Sequence, residues 1–79
     1  MHRPIFEIAK DIQNEWGDKV NYAASPYLEA MRFLSLTTDK YGCDSGTEIL
    51  AYFLSNASSF RGEKARQLKS EIRDLLENY

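Results

Sequence analysis

The chain has 79 residues, 43% apolar and 28% charged, with a formal net charge of −2 and one cysteine, Cys43. That length fits a single domain spanning 1–79, which buries only about 60% of the surface its unfolded form exposes, and the apolar share excludes global disorder. The charge gives no overall pull toward nucleic acid or an anionic membrane, and one cysteine excludes an internal disulfide or a cysteine zinc cluster. No apolar run nears the roughly 18 residues of a membrane span, and no export signal is visible, so the cytoplasm is the expected compartment.

Pro4 suits a first helical position. After it Ile5, Ile8, Ala9, Ile12 and Trp16 fall on one face, with Trp16 expected as a core anchor, before Gly17 offers a left-handed stop. The opposite side carries Glu7, Asp11, Glu15 and Asp18 nearly in line. This acidic ridge could dock a basic partner, but a solvated helix face explains it more simply.

Residues 18–24 form a connection with room for half a turn. Ser25 followed by Pro26 then reads as a serine cap and a proline at the first position of a second helix. Its apolar stripe is Tyr27, Ala30, Met31 and Leu34, with Leu28 and Phe33 on the flanks. Residues 37–44 lack a helical period and contain Gly42, so a loop is expected there and no strand pair.

Residues 45–76 read as a helical hairpin around which the rest is organised. Ser45 and Glu48 have the spacing of a capping box, which starts a helix at about Gly46. Ile49, Leu50, Phe53, Leu54, Ala57 and Phe60 share one broad face, as expected of a central helix. Residues 56–61 make the turn, with Ser58 and Ser59 as candidate caps and Gly62 tolerable in the next first turn. Ala65, Leu68, Ile72, Leu75 and Leu76 then give the last helix one buried face. The expected fold is all-α, a compact bundle of about four short helices ending in a helical hairpin.

The parts of a catalytic or metal site are missing. The only histidine is His2, near a terminus, so no nucleophilic triad can be built. Cys43 has Lys40 three residues away but no histidine partner. There is no Glu-x-x-His pair, no Walker loop and no GxGxxG, and no carboxylate sits in an apolar segment that would raise its pKa. No enzymatic activity, metal or cofactor is expected. Asn56-Ala57-Ser58 matches a glycosylation acceptor, a chance match without export.

Two surfaces remain. Half of the lysines and arginines lie within 61–73: Arg66, Lys69 and Arg73 form a ridge beside the buried stripe, and Arg61 and Lys64 lie near the turn. They are the candidates for contacts to nucleic acid, in the place where a helix-turn-helix puts its second helix. Against this, the turn is long and the same helix carries Glu63, Glu71, Asp74 and Glu77. Arg73 with Glu77 would be a local pair, and Arg61 could reach the last carbonyls of the third helix. The second surface is aromatic. The tyrosines do not all fit a small core, and Tyr52, Tyr22, Phe6 and Phe33 are the candidates for a protein interface or a homodimer seam.

Three stretches carry a resemblance: Pro26-Tyr27-Leu28-Glu29-Ala30-Met31, Tyr41-Gly42-Cys43-Asp44-Ser45 and Ala51-Tyr52-Phe53-Leu54-Ser55-Asn56-Ala57-Ser58-Ser59-Phe60-Arg61-Gly62-Glu63-Lys64-Ala65. With the opening helix, they resemble a family of small proteins encoded by bacteriophages, prophages and integrated elements, to which no activity is assigned. The resemblance implies a phage or mobile-element origin in a bacterial host and carries over no site residue. It favours a protein-interaction module, binding itself or a host or phage partner, with a nucleic-acid-binding accessory protein as the alternative.

Overall fold

A computed structural model describes residues 3–78; His2 and Tyr79 lie outside the described residues. The first apolar stripe forms helix α1 (Ile5–Trp16), and Pro4 is its N-cap, one position ahead of the expected place. The first-turn amides find partners in the chain leaving the second helix: Ile5 N donates to Ser35 O at 3.0 Å and Phe6 N to Leu34 O at 2.9 Å. The start of α1 is thereby stitched to a segment 30 residues away without a side-chain cap. Gly17 ends the helix with φ 67°, its N–H donating to Gln13 O, and leads into one 3₁₀ turn, Gly17–Lys19.

Helix α2 (Ser25–Met31) starts where expected, but not by a serine cap. Ala24 is the N-cap and makes no side-chain bond. Asn21 closes the turn instead, its Oδ1 accepting from Ala24 N at 2.8 Å and its carbonyl from Ser25 N at 3.1 Å. Leu28, expected on a flank, is buried, whereas Tyr27 is only partly covered. The reason is that α2 packs against α1 on one side and the third helix on the other, which widens and shifts its buried face.

The expected loop holds a small ribbon. Strand β1 (Lys40–Tyr41) runs antiparallel to β2 (Asp44–Ser45), pairing Lys40 with Ser45 and Tyr41 with Asp44. Gly42 supplies the positive φ, 65°, at the first of two turn positions, as in a II′ turn. Two-residue strands are too short to show an alternating pattern, which is why the sequence hides them. The ribbon feeds straight into helix α3 (Gly46–Ser55), and Gly46 N donates to Asp39 O at 2.7 Å.

The capping box of α3 forms as expected. Glu48 N donates to Ser45 Oγ at 3.3 Å, and Ser45 N donates to Glu48 Oε1 at 2.9 Å. The helix stops at Ser55, however, so Ala57 and Phe60 enter the core from the turn and not from the helix. Two side chains take carbonyls of its last turn: Asn56 Nδ2 donates to Tyr52 O at 2.8 Å and Ser55 Oγ to Ala51 O at 3.1 Å. Gly62 precedes helix α4 (Glu63–Asn78) with φ 115°, a conformation outside the helical region, so it lies before the first turn and not in it.

Helix α4 lies on α1 and α3, and α2 on α1 and α3, so the hairpin packs against the first two helices as the sequence implied. The architecture is mostly helical, and among the described residues the ribbon is the one departure from all-α. Phe53, Ile8, Ile12, Leu50 and Ile72 are fully buried. Each such side chain contributes about 1.5–3 kcal/mol through burial, against the ordering of the chain. Trp16 is 7% exposed. Its ring stacks on Phe60 at 4.7 Å and meets the Phe53 ring edge-on at 6.2 Å, locking the end of α1 to the α3–α4 turn.

Candidate functional site

The turn that Gly62 permits determines what lies ahead of α4. Phe60 folds inward onto Trp16 and is 2% exposed, while Arg61 stays in solvent, its Nε donating to Ser58 O at 3.4 Å. Arg61 thus bonds a carbonyl of the turn, not the last carbonyls of α3. Along α4 the period of 3.6 residues brings Arg66, Lys69 and Arg73 into an arc of about 60°. The result is a shallow concavity of about 360 Å³ lined by Phe60, Arg61, Gly62, Arg66, Lys69 and Arg73.

Four of the five basic residues singled out by sequence therefore meet at one place; Lys64 is exposed and outside the lining. Among the described residues, none of these four cations is ion-paired. The Arg73–Glu77 pair expected from their spacing is not formed. Lys69 Nζ lies 5.8 Å from the centroid of the Phe60 ring. Partial burial, and then repulsion from Arg73 and Arg61, lowers the Lys69 pKa from its ordinary value. Such a cluster lacks negative charge, and an oxyanion between the four groups would relieve it.

No carboxylate of α4 lines this concavity. Arg3 takes Glu71 in a two-pronged contact, Nε to Oε2 at 2.7 Å and Nη2 to Oε1 at 2.9 Å, while its Nη1 donates to Asp11 Oδ2 at 2.7 Å. Both carboxylates, Glu71 first, push the guanidinium further toward its charged form. Asp11 leaves the acidic ridge of α1 to join this network. Asp74 and Glu77 line a second hollow with Gln67, Ser70, Glu71 and Arg73, so that Arg73 borders both hollows. Nothing in the sequence announces the Arg3 network, whose members on α1 and α4 come together only in the fold.

Among the described residues the four aromatic candidates make no ring contact with one another. Tyr52 pairs with Tyr27 at 5.5 Å between ring centroids. Phe33, 65% exposed, stacks on Tyr41 at 5.6 Å, and Leu36 nearby in the chain is also exposed. Phe6 borders a hollow with Lys10, Gln13, Asn14 and Arg32. Tyr22 is 91% exposed and makes no ring contact among the described residues. Tyr41 and Leu36 escaped the sequence reading because the ribbon that positions Tyr41 was itself hidden.

Cys43 is exposed in the ribbon turn. Among the described residues no three His, Cys, Asp or Glu side chains are placed to hold a metal ion, and no helix is long and apolar enough to cross a membrane. No protein-family model matches the chain, and neither a curated protein nor a solved structure matches it.

Proposed function

We propose that this protein binds the phosphate backbone of nucleic acid through the basic concavity formed by the α3–α4 turn and α4. The observation that carries this reading is the convergence of Arg61, Arg66, Lys69 and Arg73 on one hollow without an ion pair among the described residues. Surface cations of a chain with net charge −2 ordinarily find carboxylates or spread apart. Here no carboxylate lines the hollow, and Glu71 of the same helix is held by Arg3, which leaves room for an external anion. Each phosphate neutralised there releases counterions, so affinity should come mainly from charge and carry little base specificity. Replacing Arg66, Lys69 and Arg73 by glutamate tests this: a folded triple variant that still binds oligonucleotides as the wild type does would refute it.

A protein-interaction module is the second reading, favoured by the stacked and exposed Phe33–Tyr41 pair with Leu36 alongside. Paired replacement of Phe33 and Tyr41 by alanine should abolish association with a partner or a second copy while leaving the helical fold; association retained by a folded double variant refutes it. On the sequence resemblance, we further propose a phage or mobile-element origin and action in the cytoplasm of a bacterial host.

A further inference from the structure

Among the described residues Tyr22 is the most exposed of the large hydrophobic side chains, at 91%, and the fold gives it no packing role. The backbone that carries it is nevertheless anchored. The preceding residue, Asn21, donates from Nδ2 to Asn56 O at 3.1 Å and to Ser59 Oγ at 3.1 Å, and its Oδ1 accepts from Ala24 N at 2.8 Å. These bonds seat residue 21 on the very turn that presents Phe60 and Arg61 to the concavity. An exposed aromatic ring carried by an anchored stretch of backbone beside that turn is open to contact with a ligand, and tyrosine adds large contact area with few side-chain torsions to order.

A duplex fits this arrangement poorly. The face of α4 opposite its buried stripe carries Glu63, Ser70, Asp74 and Glu77, so a helix laid into a major groove would turn carboxylates toward the phosphates on its walls. Paired bases would also give the Tyr22 ring nothing to stack on. An unpaired strand has both parts required: phosphates for the four cations and an open base face for the tyrosine. Basic grooves joined to exposed aromatic rings bind single strands in this way, over sites of about 4 to 16 nucleotides.

We infer that the concavity of α4 and the Tyr22 ring together form a site selective for single-stranded nucleic acid, with Arg61, Arg66, Lys69 and Arg73 on the phosphates and Tyr22 stacked on a base. The inference rests on the phosphate-binding reading and adds strand selectivity to it.

Fluorescence anisotropy tests it with a labelled oligothymidylate, a labelled duplex of equal length, and the full chain as wild type, Tyr22→Ala and Tyr22→Phe. The wild type should bind the single strand more tightly than the duplex. Tyr22→Ala should weaken single-strand binding about tenfold, within the range known for loss of one stacked base, and leave duplex binding within about twofold. Tyr22→Phe should keep the wild-type preference, since the ring and not the hydroxyl makes the contact. Single-strand binding unchanged in Tyr22→Ala would overturn the inference and leave phosphate binding standing. No binding of either probe by the wild type would overturn both.

Discussion

The ammonium of Lys69 sits 5.8 Å from the centroid of the Phe60 ring, held at the edge of the core with Arg61 and Arg73 as electrostatic neighbours. This contact joins the core to the candidate site. Phe60 is held by its stack on Trp16, so the position of Lys69 depends on the end of α1 as well as on α4.

Lys69 should respond to both pH and anions. Its folded-state pKa is lowered, so the cost of keeping it charged is fully present below that pKa. Between the folded and unfolded values the unfolded chain binds more protons, and stability should rise with pH through that alkaline window. Nitrogen NMR of the lysine Nζ should show the Lys69 pKa moving back up when an oligonucleotide is added. A pKa unaffected by saturating oligonucleotide would place the anion elsewhere.

The Arg3–Glu71 contact should tie α1 to α4 energetically as well as geometrically. The two side chains are 35% and 28% exposed, so solvent screens the pair and a coupling of about 1 kcal/mol is expected. A double-mutant cycle on Arg3→Ala and Glu71→Ala, read by denaturant unfolding, measures it. Strictly additive single effects would show that the contact contributes nothing to stability.

Gly46 is closed to side chains. A Cβ there would stand 2.9 Å from Leu36 O and 3.0 Å from both Cα and O of Thr37, all backbone atoms. Gly46→Ala should therefore destabilise the fold by about 1–3 kcal/mol, despite the better helix propensity of alanine. Unchanged or increased stability in thermal melts would mean that the 36–37 segment yields freely.

Asp39 gathers the loop that precedes the ribbon. Its Oδ2 accepts from Ser35 N at 2.9 Å and from Leu36 N at 3.0 Å, and these amides, Leu36 first, hold its carboxyl below the usual value. The sign follows: its contribution is present above the unfolded pKa and is lost as pH falls through the folded one. Melting curves across the acid range should fall less steeply for Asp39→Asn than for the wild type. Identical slopes would remove Asp39 from the acid response.

The helices were legible because each of their buried faces repeats over two or more turns, and the capping box at Ser45 and Glu48 fixed the start of α3. What escaped has a common physical character. The ribbon at Lys40–Tyr41 and Asp44–Ser45 is too short to carry a period. The early end of α3 depends on Asn56 and Ser55 bonding back to carbonyls, which spacing alone does not signal. For the site, the cations of α4 were visible as a ridge, but their lack of carboxylate partners was not, because the removal of Glu71 by Arg3 is a long-range event. Tyr22 was visible as a surface aromatic, yet only the bonds of Asn21 show which end of the molecule it shares.

The most direct test of phosphate binding by the α4 cluster is the salt dependence of oligonucleotide affinity, compared between wild type and the Arg66→Glu, Lys69→Glu, Arg73→Glu variant. With three or four phosphates engaged on a single strand, log K should fall against log salt with a slope of about −2 to −3, and the variant should lose both the affinity and the slope. A wild-type affinity insensitive to salt, or a slope that survives charge reversal, would contradict it.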